Sequence, residues 1–456
     1  MKMNKLVVSM FAAGVMASPL AQATNGMLME GYGPISTGMG GASMAFDNGA
    51  AAMANNPATL GLMEDGTSRL DVAIGGLHPS VTSKMAGMPD ANSGGKSYFM
   101  PAGGWVKKDG PLAYGIGVFA QGGMGTEYTA NDWVGAGSGK PSRSEVGVGN
   151  LIVPLSYSVT PDLNIAGSLD FVWGGMDLQM AMNANQMGAL AAGGNLTPGG
   201  PAAASPAFGA FMAGGVNSVG YFNFTDGSSF SGKANSTGFA GKLGMTYKVN
   251  PQLTVGATYH SKTSLGDMTT NGATMDMIMG GGVVQTFVGR VSIINFQFPE
   301  TYGVGMALQA SDDLMVAVDY KRIGWAKVMK NFHMNFAATD GSLTLDMKMP
   351  QNWVDQDVFN IGLAYRTSPE LTLRAGANLA NNPVPDSTVN PLFPAIVKDH
   401  FTVGAGYTLS KVSEVNASLV YVPKVTTNTP AVAGVSPAYS IVHSQLNWQL
   451  MYSHSF

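Results

Sequence analysis

The 456-residue chain predicts an all-β fold, a 14-stranded antiparallel transmembrane β-barrel closed around a small N-terminal plug. Three observations predict it. Only 11% of residues are charged, against about 25% in ordinary soluble proteins. No apolar run reaches the roughly 18 residues that a membrane helix needs, so a bilayer would have to be crossed by strands that pair into a closed ring. Short turns recur along the chain, each followed by a residue that opens a strand alternating with period two.

The chain begins with Lys2 and Lys5, an apolar run from Leu6 to Met16, and Ala21-Gln22-Ala23. A basic start, a short apolar stretch and small residues at a cleavage point make residues 1–23 a secretory leader, too short to anchor in a bilayer. The exported chain is expected to start at Thr24. There are no cysteines, which in an exported protein of this size fits a bacterial envelope better than a disulfide framework.

Residues 24–68 are expected to form the plug and residues 69–456 the barrel. From Thr24 to Met63 the chain is rich in Gly, Ala, Met and Asn and ends in Asn55-Asn56-Pro57-Ala58. It has neither strand alternation nor a helix long enough to stand alone, so it needs the lumen around it.

The turns carry the topology. Thr160-Pro161-Asp162-Leu163, Asn250-Pro251-Gln252-Leu253, Ser311-Asp312-Asp313-Leu314 and Ser368-Pro369-Glu370-Leu371 share one form, in which a short polar residue opens the turn and Leu starts the strand. Pro at the second position presets the backbone. Lys108-Asp109-Gly110-Pro111 and Ser410-Lys411-Val412-Ser413 are looser versions. Beside these turns Leu163, Ile165, Leu169 and Phe171 share a face opposite Asn164, Ala166, Ser168 and Asp170, and Leu314, Val316, Val318 and Tyr320 lie opposite Asp319 and Lys321. An apolar face suits lipid and a small or polar face suits a lumen. The expected strands are 69–81, 97–108, 112–122, 145–159, 163–177, 237–248, 252–264, 297–310, 314–325, 355–367, 371–380, 399–409, 413–423 and 444–456. An even number puts both ends and the short turns at the periplasm. The last strand alternates Leu446, Trp448, Leu450 and Tyr452 outward and closes on Phe456, as in the recognition signal of bacterial outer-membrane barrels.

Seven longer loops then face outward, near 82–96, 123–144, 178–236, 265–296, 326–354, 381–398 and 424–443. The third should be polar if it stood in water, yet it carries Met187, Leu190, Phe208, Phe211, Met212 and Phe222. The fourth adds Met277 and Phe287. These residues either pack on each other as a cap or line an apolar groove for a hydrophobic ligand, to which flexible Met side chains are suited.

Net charge is −4 with no basic run, which argues against nucleic acid as a partner. His78, His260, His333, His400, His443 and His454 show no helical metal spacing, and no Gly-x-Ser-x-Gly elbow presents a nucleophile. No cofactor, metal or enzyme activity is expected; an outer-membrane lipid hydrolase is the weaker alternative. A general diffusion porin would need an open lumen with charged rings, which a plug and apolar outer loops oppose.

In the order of its parts the chain resembles the FadL/TodX family of outer-membrane transporters for long-chain fatty acids and hydrophobic compounds. The resemblance rests on the plug ending in Asn55, Asn56, Pro57 and Ala58, the long third loop, Phe298-Pro299-Glu300-Thr301, the Trp325 region and Asn382-Pro383-Val384-Pro385. It implies a monomer in the bacterial outer membrane, in contact with lipid or detergent, that captures a hydrophobic small molecule between the third and fourth loops. A change in the plug would release the cargo sideways through a kink in the third strand, here matched by Gln121, Gly122, Gly123, Met124 and Gly125. Glycines in a strand permit such a break. Fatty-acid members place basic residues in the lumen, one near the top of the fifth strand. Trp173 to Met182 holds none, and Lys330 and Lys327 lie near where another would fall. A carboxylate left unpaired in an apolar site is costly, so neutral hydrocarbons are the expected cargo, with fatty acids possible if Lys330 or Arg322 points inward.

Overall fold

The computed structural model describes residues 25–228 and 232–456. The expected leader, residues 1–23, and the expected start at Thr24 lie outside the described residues.

The strands, in chain order, are β1 (Ser68–Leu77), β2 (Pro79–Met85), β3 (Ala91–Asn92), β4 (Tyr98–Asp109), β5 (Leu112–Tyr128) and β6 (Ser142–Ser158). They continue with β7 (Leu163–Asn183), β8 (Leu196–Gly199), β9 (Ser218–Phe224), β10 (Ala234–Lys248), β11 (Leu253–His260) and β12 (Ser264–Leu265). Next are β13 (Met268–Met279), β14 (Gly282–Ile293), β15 (Thr301–Gln309), β16 (Leu314–Ile323), β17 (Asn331–Ala338) and β18 (Thr344–Pro350). The last are β19 (Gln356–Arg366), β20 (Leu371–Ala380), β21 (His400–Ser410), β22 (Ser413–Thr429) and β23 (Tyr439–Ser455). Every pairing is antiparallel. The wall runs β1, β4, β5, β6, β7, β10, β11, β15, β16, β19, β20, β21, β22, β23 and back to β1.

The strand count expected from the sequence needs correction. Among the described residues the continuous sheet holds 23 strands, not fourteen. The extra strands lie in stretches read as loops. β9, β13, β14, β17, β18 and β8 pair in that order into a ribbon above the wall, and β9 also pairs with the upper end of β7. The cause is length: β7 runs on to Asn183 and β5 to Tyr128. Backbone that leaves the bilayer still needs partners, and the neighbouring hairpins supply them.

The short turns form as their sequences dictate. In each of the four related turns the opening residue accepts the N–H of the Leu three positions on: Thr160 Oγ1 at 3.0 Å, Asn250 Oδ1 at 2.9 Å, and Ser311 Oγ and Ser368 Oγ at 3.2 Å. Period two then sorts the side chains. Tyr302, Val304, Met306 and Leu308 of β15 are exposed, as are Phe359, Ile361, Leu363 and Tyr365 of β19, and together with their equivalents they make the lipid-facing belt. Asp71, Asn164, Asp170, Asp319, Asn360 and Asn416 point inward and are buried.

Residues 25–63 are what bury them. The segment contains α1 (Gly33–Gly38) and two 3-10 turns, Gly49–Met53 and Pro57–Leu62, and it packs against the inner faces of the wall strands. Small inward positions make room. A Cβ on Gly256 would sit 1.9 Å from Met44 O, and one on Gly376 would sit 2.2 Å from Gly40 N. Met39, Met44, Met53 and Leu60 are almost completely buried, each worth about 1.5–3 kcal/mol relative to exposure.

One stretch read as an outward loop turns inward. Between β20 and β21, Val384, Val389, Leu392, Phe393 and Ile396 are buried. Wall side chains hold this stretch by its carbonyls: Thr126 and Tyr128 donate to Pro391 O, both at 3.1 Å, and Ser144 donates to Leu392 O. A backbone tucked into a barrel mouth away from water has to be satisfied in this way.

Candidate functional site

Asp319, Asp71 and Arg69 are among the wall charges that hold the N-terminal segment. Asp319 Oδ2 accepts the N–H groups of Ser43 (2.6 Å) and Met44 (3.2 Å), Asp71 Oδ2 accepts that of Ala50 (2.6 Å), and Arg69 forks onto Asp47 at 2.8 and 3.0 Å. Charge-assisted bonds of this kind are about twice as strong as neutral ones. Asn55 and Asn56 act within and beyond the segment. Asn55 Nδ2 donates to Tyr32 O (2.9 Å), while its Oδ1 accepts Tyr32 N–H (3.2 Å). Asn56 Nδ2 donates to Met44 O (2.8 Å) and to Met245 O of β10 (3.2 Å), and its Oδ1 caps the following turn at Ala58 N–H (3.1 Å). Pro57 opens that turn, and Ala58 is fully buried.

The wall has a break. β5 pairs with β4 only from Asp109↔Leu112 to Gly103↔Val118. Beyond Val118 the two strands have no ladder, although β4 keeps its pairing with β1 up to Tyr98. The register of β5 against β6 shifts between Ala120 and Gly122, leaving Gln121 as the bulged residue. Above the break, Gly94 N–H donates to Glu127 O at 2.7 Å. The span without a β4 partner is therefore 119–125 and includes Gln121, Gly122, Gly123, Met124 and Gly125, while its other edge stays paired with β6. From Phe119 to Gly125 every side chain position is buried, whichever face it would take in a regular strand, so the span bends inward.

The N-terminal segment backs this span. Gly123 N–H donates to Met27 O at 3.0 Å, Leu28 bridges Gly122, and Tyr32 Oη donates to Gln121 O at 3.0 Å. A Cβ on Gly122 would lie 1.9 Å from Met27 O, so the contact requires glycine. Behind the segment stand Phe298, Trp325 and Trp353. Phe298 meets Trp325 edge-on at 6.2 Å between centroids, and Trp325 meets Trp353 at 5.1 Å. One apolar cluster runs without interruption from Met27, Leu28 and Met124 through these rings to the outer cap.

In that cap, α2 (Ala184–Ala192) and α3 (Pro206–Ala213) cover the ribbon. Met187, Phe208, Phe211, Phe222, Met277 and Phe287 are buried in the shared cluster, and Leu190 and Met212 pack against it half-buried. These eight candidates come together. Lys330 does not join them. It is exposed, where the chain passes from α4 (Trp325–Val328) into β17. Arg322 is exposed and pairs with Asp355 and Asp357, and Lys327 pairs with Glu300. Two lumen cations are instead Lys242, buried, and Lys321, half-buried. Lys242 pairs with Asp170, and Lys321 donates to the carbonyls of Glu30 (3.2 Å) and Gly41 (3.1 Å).

Sequence reading missed Asp71, Asp319, Tyr32 and the inturned stretch. Isolated carboxylates on the small-residue face of a strand were the available signal for the first two. Among the described residues no group of three or more acidic, His or Cys side chains could hold a metal.

The model of the family described as outer membrane protein transport protein (OMPP1/FadL/TodX) matches residues 14–441. The toluene transporter TodX of P. putida is 30% identical, with a TM-score of 0.83 over 94% of this chain and 99% of that one. The Ralstonia pickettii toluene transporter TbuX is 30% identical, with a TM-score of 0.76 over the same shares, 94% and 99%. The monoaromatic hydrocarbon channel CymD is 26% identical, with a TM-score of 0.72 over 95% and 99%. An uncharacterized Chlorobium limicola protein encoded beside phosphoenolpyruvate carboxykinase is 51% identical over 70 residues, 15% of this chain and only 34% of that protein's length.

Proposed function

Because the chain belongs to the OMPP1/FadL/TodX family of outer-membrane transport proteins, we propose that it admits neutral monoaromatic hydrocarbons and releases them sideways between β4 and β5. It is a channel of the bacterial outer membrane and not an enzyme. Residues 24–68 act as the plug. Cargo settles on the apolar cap, follows the apolar cluster to Phe298, and leaves at 119–125 once Met27 and Leu28 let go. The protein works as a monomer surrounded by lipid, and flux follows the concentration gradient.

The observation that carries this reading is where the apolar path ends. The cluster reaches the interrupted ladder at Met124. The short-turn end instead holds a polar cavity of about 290 Å³ lined by Arg69, Asp312, Asp313, Arg366, Arg374 and Glu414. Passing an apolar solute through it would cost roughly 25 cal/mol per Å² of surface returned to water, whereas a side exit delivers the solute into lipid. Neutral cargo is favoured because Lys242 and Lys321 are already engaged and Lys330 and Arg322 are exposed. A carboxylate would find no unengaged cation among these four inside the barrel.

Uptake of labelled toluene and labelled oleate, in cells with and without the protein, tests the cargo; toluene uptake should depend on the protein more strongly. Deleting Gln121 removes the bulge and lets β5 pair regularly. Toluene uptake should then be lost while the barrel still assembles. Undiminished uptake would rule out the side exit.

A further inference from the structure

Trp325 and Trp353 raise a question the hydrocarbon reading leaves open. Both are buried, at 0% and 3% exposure, and the Nε1–H of each has no acceptor among the described residues. Of the buried indole N–H groups without an acceptor among the described residues, these two stand ring to ring, 5.1 Å apart at 65°. Leaving such a donor unmade in an apolar surrounding carries its full desolvation penalty. Buried Trp ordinarily finds a partner, as Trp105 and Trp448 do here, donating to Ser68 Oγ at 2.9 Å and His78 Nε2 at 3.0 Å.

What covers Trp325 is the chain's own N-terminal segment. A Cβ on Gly26 would lie 2.7 Å from Trp325 Nε1. The segment thus seals the indole without a hydrogen bond to it, and Asn25 Oδ1, one residue before Gly26, also has no partner among the described residues. Gly26 continues into Met27 and Leu28, which back the interrupted ladder, and Phe298 reaches that ladder too, at Gly122. On the other side of the segment lies a small cavity of about 60 Å³ lined by Asn25, Leu28, Met29, Lys321 and Ile323 among others. Withdrawal of residues 25–28 would leave one compartment walled by Phe298, Trp325 and Trp353, directly behind the break.

We propose that this compartment is a subsite for aromatic cargo bearing a hydrogen-bond acceptor oxygen, such as an aryl ketone or a phenol, with Trp325 and Trp353 as its donors. The inference rests on the transport reading above but adds a selectivity that a purely apolar conduit would lack. A hydrocarbon fills the compartment and leaves both donors unsatisfied; an acceptor-bearing ring of equal size satisfies at least one. A site built to donate discriminates against ligands that cannot accept. A single net hydrogen bond corresponds to roughly a two- to tenfold preference.

The test uses acetophenone and ethylbenzene, which match in size and differ in the carbonyl. Binding of each labelled compound is measured by equilibrium dialysis against the full barrel in lipid nanodiscs, corrected with empty nanodiscs, and uptake is measured separately in cells. Acetophenone should bind about two- to tenfold more tightly, and Trp325→Phe and Trp353→Phe should each lower that ratio while the heat-shifted electrophoretic migration of a folded barrel is kept. Equal binding by the unaltered protein overturns the subsite without any variant, as does a ratio unchanged in both variants. Selective binding with no protein-dependent uptake would leave the subsite standing and defeat the transport reading instead.

Discussion

Replacing Gly122 by alanine puts a methyl group where Met27 O now lies, 1.9 Å from the position a Cβ would take. The obstructing atom is backbone, so no side-chain rotation relieves the clash. The chain must give up either the inward bend of β5 or the seat of Met27. Overpacking of this sort costs about 1–3 kcal/mol, and the Gly123 N–H bond to Met27 O (3.0 Å) adds about 1 kcal/mol when lost. The seated state should therefore weaken by roughly 2–4 kcal/mol, which multiplies the released population by about 30 to 700, since 1.4 kcal/mol is tenfold. Amide hydrogen exchange reads this directly, because the rate at Gly123 follows the open population even when that population is small. The expected result is faster exchange at Gly123 and Leu28, unchanged exchange in β19 and β20 on another part of the wall, and faster toluene entry. Exchange at Gly123 as slow as in the unaltered protein, in a folded barrel, would refute the claim that Met27 is seated against the break.

Asp319→Ala removes the acceptor shared by Ser43 and Met44 and should loosen the middle of the segment by roughly 2–4 kcal/mol, seen as protease cleavage near Met44 in a barrel that otherwise stays resistant. Lys330→Ala should leave toluene uptake within about twofold of normal, because the side chain is exposed and outside the apolar cluster; a loss of about tenfold or more would return it to the cargo path. Phe456→Ala should lower the amount of protein in the outer membrane without destabilising barrels already assembled. The ring is 63% exposed, whereas the strand end is held by backbone bonds between Phe456 and Ser68 at 2.8 and 3.3 Å.

The legible parts of the fold were those governed by local chemistry. Thr160, Asn250, Ser311 and Ser368 announce their turns because the bond each makes is to a residue three positions away. The wall strands announce themselves by alternation, since lipid and lumen impose opposite demands on successive residues. The outer ribbon was hidden because alternation fails there. Met275, Asp276, Met277 and Ile278 of β13 are buried in succession, and nothing local distinguishes that from a loop rich in Met. The stretch 381–398 was read as outward because it is one of the longer connections between strands, but its apolar residues face a lumen that only the closed sheet creates. The site divided in the same way. Glycines 122, 123 and 125 were visible as a weak strand, while the pairing of Trp325 with Trp353 joins residues on either side of β17 and β18 and depends on long-range packing.

The inturned stretch between β20 and β21 has a consequence for how the break can move. Through Thr126 and Tyr128 it grips β5 just above the span without a β4 partner, and the ladder with β4 grips the same strand just below, at Val118. The span is thus clamped at both ends, like a shutter slat in its frame. Its other edge stays laddered to β6 from Asn150 to Glu145, so of the four sides of the span only the one toward β4 lacks backbone pairing with the wall.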